Sequence, residues 1–318
     1  MNILITGAAG FIGYHASERL IKEGHNVFGI DNLNEYYDVN LKKARLARLT
    51  SPNYTFQRLD VTDSGALMKA LSAQTVDCIV HLAAIAGVRY SLDHGDEYIK
   101  TNVDGTYTIF DCARRLGIPK VIYASSSSVY GERAKMPSSE DDPVDKPISL
   151  YAATKKADEL LAYTYHHLFG IRSIGLRFFT VYGPWGRPDM ALFLFTKGIL
   201  DGKPIDVYNY GNMKRDFTYI DDIVAGIFAS LFYDKTPYEI INLGYGKQVH
   251  LLDFIKHIET SVGKKANMNL MGLQPGDVTA SLSDISKARQ LLGYEPRTSV
   301  AVGVRLFADW YQKYYLRG

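Results

Sequence analysis

A glycine-rich turn near the start of the sequence restricts what this chain can fold into. The turn, Gly7-Ala-Ala-Gly10-Phe-Ile-Gly13, follows an apolar segment typical of a buried strand (Asn2–Thr6) and begins an amphipathic segment typical of a helix (Phe11–Lys22). Glycines at this spacing let the backbone turn tightly, approach a pyrophosphate and pack the helix against the strand. The helix start then offers free N–H groups to the phosphates. The predicted dinucleotide site includes Gly7, Ala9, Gly10, Phe11, Ile12 and Gly13.

Apolar and amphipathic segments continue to alternate after this turn. Segments typical of strands lie at residues 26–30, 54–59, 78–82, 120–124 and 171–178, and helical patterns lie at 64–71, 105–116 and 151–169. Near-continuous apolar strands that alternate with helices are typical of a parallel sheet covered on both faces. We therefore predict an α/β fold in which residues 1–180 form a Rossmann-type, doubly wound, NAD-binding domain.

The pattern becomes looser after about residue 180. Loops rich in Gly and Pro separate short strand patterns at 206–208 and 239–242 from helical patterns at 220–233, 251–262, 283–292 and 300–315. We predict that residues 181–318 mainly form a smaller, mixed α/β domain that binds the substrate. Because a chain can leave a sheet and return to it, parts of 215–245 are expected to join the main sheet.

Residues at the ends of the predicted strands indicate which dinucleotide binds. Asp31 ends the second strand, where a carboxylate binds ribose hydroxyls and repels a 2′-phosphate. Asn32 follows it in place of an arginine, so NAD is favoured over NADP. Asp60-Val61 and Leu82-Ala83-Ala84 follow two further strands, at the edge where open α/β sheets bind ligands. We expect both segments to border the adenine and ribose of the dinucleotide. Taken alone, each segment is equally consistent with an ordinary loop at the end of a strand.

A tyrosine and a lysine have the spacing needed for acid–base chemistry. Tyr151-Ala-Ala-Thr-Lys155 begins a predicted helix, and the i, i+4 spacing places both side chains on one face. A free tyrosine, with a pKa of about 10, is no base at neutral pH, but an adjacent ammonium group favours the phenolate. On spacing alone, a surface Tyr–Lys pair is the better interpretation. A run of serines, Ser125-Ser126-Ser127-Ser128, argues against a surface pair, because it directly follows an apolar strand. A serine hydroxyl there can hydrogen-bond the substrate oxygen that the tyrosine deprotonates.

The composition excludes several other classes of protein. The chain has 36 Lys and Arg residues against 34 Asp and Glu. This near-neutral charge is not typical of a protein that binds nucleic acid by neutralising its phosphates. Cys78 and Cys112 lie far apart, which excludes a disulfide scaffold or a zinc ribbon. The histidines lack ligand spacing, so no metal is expected. No apolar run reaches the roughly 18–20 residues of a membrane span. The first residues do not resemble a signal peptide, so we expect a cytoplasmic protein without membrane contact.

Together these motifs resemble the extended short-chain dehydrogenase/reductases that act on nucleotide sugars. The resemblance extends over essentially the whole chain and is closest to the branch that epimerises UDP-glucuronate. Its most specific stretches are Leu176-Arg-Phe-Phe-Thr-Val-Tyr-Gly-Pro-Trp-Gly-Arg-Pro-Asp-Met-Ala191 and Arg215-Asp-Phe-Thr-Tyr-Ile-Asp-Asp222. Residues 32–38, 86–91 and 274–278 agree with them.

The resemblance implies an NAD-dependent isomerase that interconverts UDP-glucuronate and UDP-galacturonate through a transient 4-keto sugar. It implies that Tyr151, assisted by Ser126 and supported by Lys155, removes the C4 hydroxyl proton. The implied NAD contacts also include Asn102, Ser125, Tyr151, Lys155 and Phe178. The implied substrate contacts are Arg89, Ser126, Ser127, Ser128, Tyr151, Thr180, Arg187, Arg215, Gln274 and Asp277. A homodimer and a role in polysaccharide biosynthesis are expected on the same ground.

Two positions favour a hexuronate C4 epimerase over related activities. The guanidinium of Arg187 suits bidentate binding of a carboxylate. Related dehydratases and decarboxylases carry Glu at the position of Ser128, so their usual proton-transfer group is absent here. The alternatives are a C4 epimerase of another UDP-hexose, a UDP-glucuronate decarboxylase and a non-catalytic NAD-binding regulator. Retention of the Ser–Tyr–Lys set argues against the regulator.

The chain departs from the family pattern at a few positions. Tyr14 replaces a small residue, Asp93-His94-Gly95 replaces a segment with proline, and Asp158 stands where Asn is common. We expect these departures to affect the helix entrance and a surface loop more than the chemistry. Tyr36 and Tyr37 are open candidates, which either border the substrate entrance or belong to an exposed aromatic loop.

Overall fold

A computed structural model describes residues 1–132 and 135–316 of the chain. Its strands are β1 (Asn2–Thr6), β2 (Asn26–Asp31), β3 (Tyr54–Arg58), β4 (Cys78–His81), β5 (Lys120–Ser126), β6 (Arg172–Phe178), β7 (Thr180–Tyr182), β8 (Ile205–Val207), β9 (Lys214–Tyr219), β10 (Tyr238–Leu243), β11 (Gln248–His250) and β12 (Met268–Leu270). Its α-helices are α1 (Phe11–Lys22), α2 (Val39–Leu46), α3 (Ser64–Ser72), α4 (Gly95–Tyr98), α5 (Gly105–Leu116), α6 (Leu150–Phe169), α7 (Ala191–Leu200), α8 (Ile220–Phe232), α9 (Leu251–Val262), α10 (Ser286–Leu292) and α11 (Val300–Tyr315). A π-helical segment, Ile99–Asp104, joins α4 to α5.

The main sheet is parallel and is covered on both faces. Within the described residues it has seven strands in the order β10-β6-β5-β4-β1-β2-β3. Successive side chains of a strand point to opposite faces, so β1 places Ile3 and Ile5 in one core and Leu4 in the other. Helices α1 and α8 cover the first face, and α3, α5 and α6 cover the second. The predicted doubly wound α/β fold is therefore confirmed.

Strand β10 brings a late segment of the chain into this sheet. It pairs in parallel with β6 along its whole length. Helix α8 precedes it, and Lys120 Nζ at the start of β5 donates to three carbonyl oxygens at the carboxyl end of α8, each at 2.8 Å. A cation at this end of a helix satisfies free carbonyls and complements the helix dipole. Part of 215–245 thus lies in the main sheet, and the domain boundary at residue 180 stays a prediction.

The remaining elements build a second apolar core. Within the described residues, β11-β9-β7 form a three-stranded sheet and β12-β8 a two-stranded sheet. Side chains from α7, α9 and α11 pack with these strands, and the rings of Phe217 and Phe254 stack with centroids 3.9 Å apart. Phe11 at the start of α1 also belongs to this core. The glycine turn therefore lies where the two cores meet.

Four helices differ from the sequence expectation, and among them α4 and α7 lie outside every predicted helical segment. Helix α2 has no counterpart among the predicted helices, because its buried residues include Lys42 and Arg45, which weaken the apolar periodicity. Helix α10 begins at Ser286 and not at residue 283. The side chain of Asp284 accepts a hydrogen bond from Ser286 N at 2.9 Å, which holds the preceding backbone in a turn.

Candidate active site

The turn between β1 and α1 requires glycine at two positions. Gly7 has a φ of +69°, and a Cβ there would lie 2.9 Å from Ala83 N. A Cβ on Gly13 would lie 2.0 Å from Gly7 O. Gly10 donates its N–H to Gly7 O at 2.9 Å, and α1 begins at Phe11 without a side-chain cap from any described residue. Its first N–H groups are therefore left for an anion.

Asp31 lies beside this turn, at the end of β2. Its Oδ2 accepts a hydrogen bond from Ala9 N at 3.1 Å, and its Oδ1 accepts one from Leu33 N at 2.8 Å. Burial raises the pKa of this carboxyl, and the charges of Lys42 and Arg45 oppose the effect. A fixed carboxylate next to a turn with no room for a Cβ fits the ribose and pyrophosphate of NAD.

The neighbouring strand ends complete this edge of the sheet. Asp60 Oδ2 accepts a hydrogen bond from Asn32 Nδ2 at 2.9 Å. Burial opposes ionisation of Asp60, but hydrogen bonds, the largest from Asn32, hold its pKa below the usual value. Thr6 Oγ1 accepts hydrogen bonds from two N–H groups after β4, at 3.1 and 3.0 Å. The predicted residues at these strand ends are Val61, Leu82, Ala83 and Ala84.

Tyr151 and Lys155 lie in the first turns of α6, and Ser126 ends β5. Ser149 caps α6 through its side chain. Tyr151 is 8% exposed and Lys155 is 3% exposed, so the interpretation as a surface pair is wrong. Ser126 is also buried, and its Oγ donates to Ser128 Oγ at 3.1 Å. The predicted catalytic residues therefore lie on two elements that meet at the carboxyl edge of the sheet.

The expectation for Asp158 needs correction. Lys155 Nζ donates to Asp158 Oδ2 at 3.0 Å, and the two side chains are 3% and 1% exposed. Burial raises the pKa of Asp158 to about 6, against the opposing charge of Lys155. Residues three apart share a helix face, so this departure from the family pattern contacts the lysine of the predicted catalytic pair.

Arg187 lies in a cleft that Thr180 also lines. Its Nε and Nη2 donate to Asp189 Oδ1 and Oδ2 at 3.0 and 2.5 Å. Tyr36, half-buried, donates its hydroxyl to Asp189 Oδ2 at 2.9 Å. Tyr36 therefore contacts the residue predicted to bind the carboxylate and does not belong to a free surface loop, and its place at the substrate entrance stays a prediction. Asp189 belongs to this cluster and was not singled out from the sequence.

A second cluster holds four of the residues predicted to contact the substrate. Arg89 Nη2 pairs with Asp277 Oδ2 at 2.7 Å, and its guanidinium lies 4.2 Å from the ring centroid of Tyr208. Burial lowers the pKa of Arg215, and the charge of Asp277 opposes this. The backbone carbonyl of Gln274 accepts a hydrogen bond from Asp277 N at 3.3 Å. The structure thus brings Arg89, Arg215, Gln274 and Asp277 together.

Three residues predicted to contact NAD have side chains inside the protein. Asn102 is fully buried. Its Oδ1 accepts a hydrogen bond from Ile85 N at 2.9 Å, and its Nδ2 donates one to Ile85 O at 3.1 Å. Ser125 Oγ donates to Glu159 Oε1 at 2.7 Å. Phe178 belongs to the core of the main sheet. The side chains of Asn102 and Ser125 thus have hydrogen-bond partners within the protein, and the contacts of all three residues with NAD stay predictions.

Arg45 was missed from the sequence. It is fully buried on α2, and its Nη1 donates to Ala9 O at 2.9 Å. Its Nη2 donates to Trp185 O at 2.6 Å, where Trp185 has a φ of +61°. Arg45 therefore ties the glycine turn to the loop that carries Arg187. No local pattern marks such a residue, because its partners are distant in sequence.

The described residues contain no group of three or more His, Cys, Asp or Glu side chains that could hold a metal ion. In the same part of the chain, no helix combines the length and the apolar character needed to cross a membrane.

Known proteins resemble this chain over nearly its whole length. The family model of the NAD dependent epimerase/dehydratase family matches residues 3–244. An uncharacterized protein of Methanocaldococcus jannaschii is 55% identical over 98% of this chain and 96% of its own. The UDP-glucuronate 4-epimerase of Thermodesulfobacterium geofontis is 45% identical over 96% of this chain and 95% of its own. The crystal structure of UDP-glucuronic acid 4-epimerase from Bacillus cereus, in complex with UDP-glucuronic acid and NAD, has a TM-score of 0.93 and 38% identity, and the match covers 99% of this chain and 100% of that one.

Proposed function

The chain belongs to the NAD-dependent epimerase/dehydratase family, and from that premise we propose that it interconverts UDP-glucuronate and UDP-galacturonate by epimerisation at C4. One structural observation carries this proposal. Tyr151 packs in one aromatic cluster with Tyr98 and Tyr36, and Tyr36 also contacts Arg187. One aromatic cluster therefore connects the predicted base with the predicted carboxylate-binding cation.

Tyr151 acts as the base in this proposal. The ammonium group of Lys155 favours its phenolate, and Ser126 donates a hydrogen bond to the C4 oxygen of the sugar. When bound, NAD supplies reversible hydride chemistry at C4. Asp31 and the glycine turn hold its ribose and pyrophosphate. Tyr151 returns the proton to the C4 oxygen after the 4-keto sugar has turned to present its other face. The hydride that bound NAD would supply to that face leaves C4 inverted.

Arg187 binds the carboxylate that distinguishes a hexuronate from a neutral hexose. A 4-keto hexuronate is a β-keto acid and loses CO₂ readily when the carboxylate aligns for C–C cleavage. We propose that Arg187, Thr180 and the serines after β5 hold the carboxylate out of that alignment. Ser128, where related decarboxylases carry Glu, leaves the site without their usual proton-transfer group.

The experiment is incubation of the NAD-loaded protein with UDP-glucuronate and, separately, with UDP-glucose, followed by chromatography that resolves sugar epimers and pentose nucleotides. We expect UDP-galacturonate and no UDP-pentose. Tyr151→Phe is expected to lower the rate by at least about 10³-fold and to retain NAD binding. UDP-pentose as the main product would indicate a decarboxylase. Conversion of UDP-glucose alone would indicate a neutral-hexose epimerase, and NAD binding without any conversion would indicate a regulator.

A homodimer is also proposed. Exposed apolar side chains lie on the neighbouring helices α5 and α6, namely Tyr107, Leu160, Tyr163 and Leu168. Large exposed apolar side chains on adjacent helices are typical of a protein interface. A cytoplasmic location and a role in polysaccharide biosynthesis stay predictions.

A further inference from the structure

The guanidinium of Arg187, which the proposed function assigns to the substrate, is already paired within the protein. Asp189 occupies its Nε–Nη2 edge with hydrogen bonds of 3.0 and 2.5 Å, the bidentate arrangement that a ligand carboxylate adopts. The other contacts of Arg187 are longer, 3.4 Å from Nη1 to Ala86 O and 3.4 Å from Nη2 to Tyr36 Oη. One edge of a guanidinium cannot hold two carboxylates side-on, so Asp189 competes with any carboxylate that approaches this edge.

Asp189 is the partner that can move. The backbone before Arg187 is fixed, because buried Arg45 holds Trp185 O with its Nε and Nη2 at 3.1 and 2.6 Å. The side chain of Arg187 is 17% exposed, and that of Asp189 is 33% exposed. Burial opposes ionisation of Asp189, but the charge of Arg187 holds its pKa below the usual value, so it remains an anion. Asp189 can therefore turn its carboxylate to water while Arg187 stays in place.

Tyr36 provides a fixed polar group beside both partners. Its hydroxyl donates to Asp189 Oδ2 at 2.9 Å and accepts from Arg187 Nη2 at 3.4 Å. This hydroxyl lies so close to Gly87 that a Cβ there would be 2.1 Å away. The packing against Gly87 holds the hydroxyl in position when Asp189 leaves.

We propose that Asp189 exchanges with the substrate carboxylate on Arg187 during each turnover. This inference rests on the proposed function, in which the sugar presents first one face and then the other. The turn carries the C5 carboxylate away from its first position, and an unpaired buried cation is strongly unfavourable. Asp189 pairs with Arg187 at that moment. It therefore weakens the binding of the substrate carboxylate and lowers the barrier to rotation of the 4-keto sugar. Asp189 is thus a positioning residue that acts through Arg187.

Asp189→Asn tests this exchange, because it keeps the shape of the side chain and removes the charge. Binding of UDP-glucuronate and of UDP, which has no sugar carboxylate, is measured by calorimetry on the NAD-loaded enzyme, together with kcat. We expect UDP-glucuronate to bind about 10-fold tighter, kcat to fall about 10-fold, and the Kd of UDP to stay within about twofold. Tyr36→Phe, a milder variant, is expected to lower the Kd of UDP-glucuronate and kcat, each by less than Asp189→Asn does.

Two controls identify the route of the effect. Asp201→Asn removes an aspartate with the same 33% exposure, paired with Lys197 at 2.7 Å, and is expected to change neither Kd nor kcat. In an Arg187→Ala background, Asp189→Asn is expected to have no further effect, because Asp189 acts only through Arg187.

Three outcomes would overturn the exchange. They are weaker binding of UDP-glucuronate by Asp189→Asn, an equal effect on UDP, and an unchanged kcat. If Asp189→Asn folds poorly, Tyr36→Phe decides by the same criteria. A wild-type protein that fails to epimerise UDP-glucuronate refutes the proposed function, and tighter binding by the variant would still support the competition on Arg187.

Discussion

Replacing Asp158 with asparagine is expected to stabilise the folded protein at neutral and alkaline pH. The change removes the charged partner of Lys155, so a simple count of ion pairs predicts the opposite. The reasoning depends on burial. The carboxyl is 1% exposed, and its pKa of about 6 in the folded protein stands above the unfolded value of 3.8. The folded state therefore holds the proton more tightly than the unfolded state.

The magnitude follows from linkage between protonation and folding. Between pH 3.8 and about 6 the folded state binds more protons, so the contribution of Asp158 to stability falls as pH rises through this window. The difference between the two pKa values corresponds to about 3 kcal/mol of destabilisation above pH 7. The attraction of Lys155 is already contained in the folded pKa, so the loss of this partner by the buried ammonium group is included in the difference between the two pKa values. Because Asn resembles the protonated carboxyl, Asp158→Asn is expected to gain about 3 kcal/mol at pH 8 and roughly half of that near pH 5.

The assay is urea-induced unfolding of both proteins at pH 8 and pH 5, followed by tryptophan fluorescence, at one NAD concentration. Asp201→Asn is the control, since Lys197 holds the pKa of Asp201 below its usual value and the pH trend has the opposite sign. A variant less stable than wild type at pH 8 would refute the reasoning. So would a stability difference that is equal at both pH values, because the effect would then not arise from ionisation.

Two further substitutions test the structural account of the site. Gly13→Ala places a Cβ 2.0 Å from Gly7 O and is expected to weaken NAD binding more than about 100-fold, with UDP binding retained in calorimetry. NAD affinity within fivefold of wild type would contradict the role of the turn. Arg45→Met leaves the carbonyl groups of Ala9 and Trp185 without their buried donor and is expected to cost about 2–4 kcal/mol in thermal unfolding, with weaker NAD binding. Unchanged stability and affinity would show that Arg45 does not join the two loops.

The sequence predicts those parts of the site that depend on local spacing. Gly7 lies in a short turn between a strand and a helix, Asp31 ends a strand, and Tyr151 and Lys155 lie one turn apart on a helix. In each case function demands a residue type at a fixed distance along the chain. The parallel sheet is predictable for the same reason, because each strand carries its own apolar run.

The missed residues depend on contacts between distant segments. Arg45 bonds Trp185, which lies 140 residues away, and the hydroxyl of Tyr36 bonds Asp189 at a separation of 153. Asp158 was assigned to the periphery because its burial depends on how α6 packs against the sheet. Spacing along the chain contains none of this information.

Strand β10 also constrains the order in which the molecule can be completed during synthesis. Strand β6 pairs with β5, which precedes it, but its other sheet partner, β10, follows only after β7, α7, β8, β9 and α8 have been translated. Until then β6 has an open edge and lacks the cover of α8, a state in which nascent chains aggregate or engage chaperones. A gene fragment that ends near residue 180 carries the same defect permanently. Residues 1–180 are therefore unsuited to exchange between genes as a separate module.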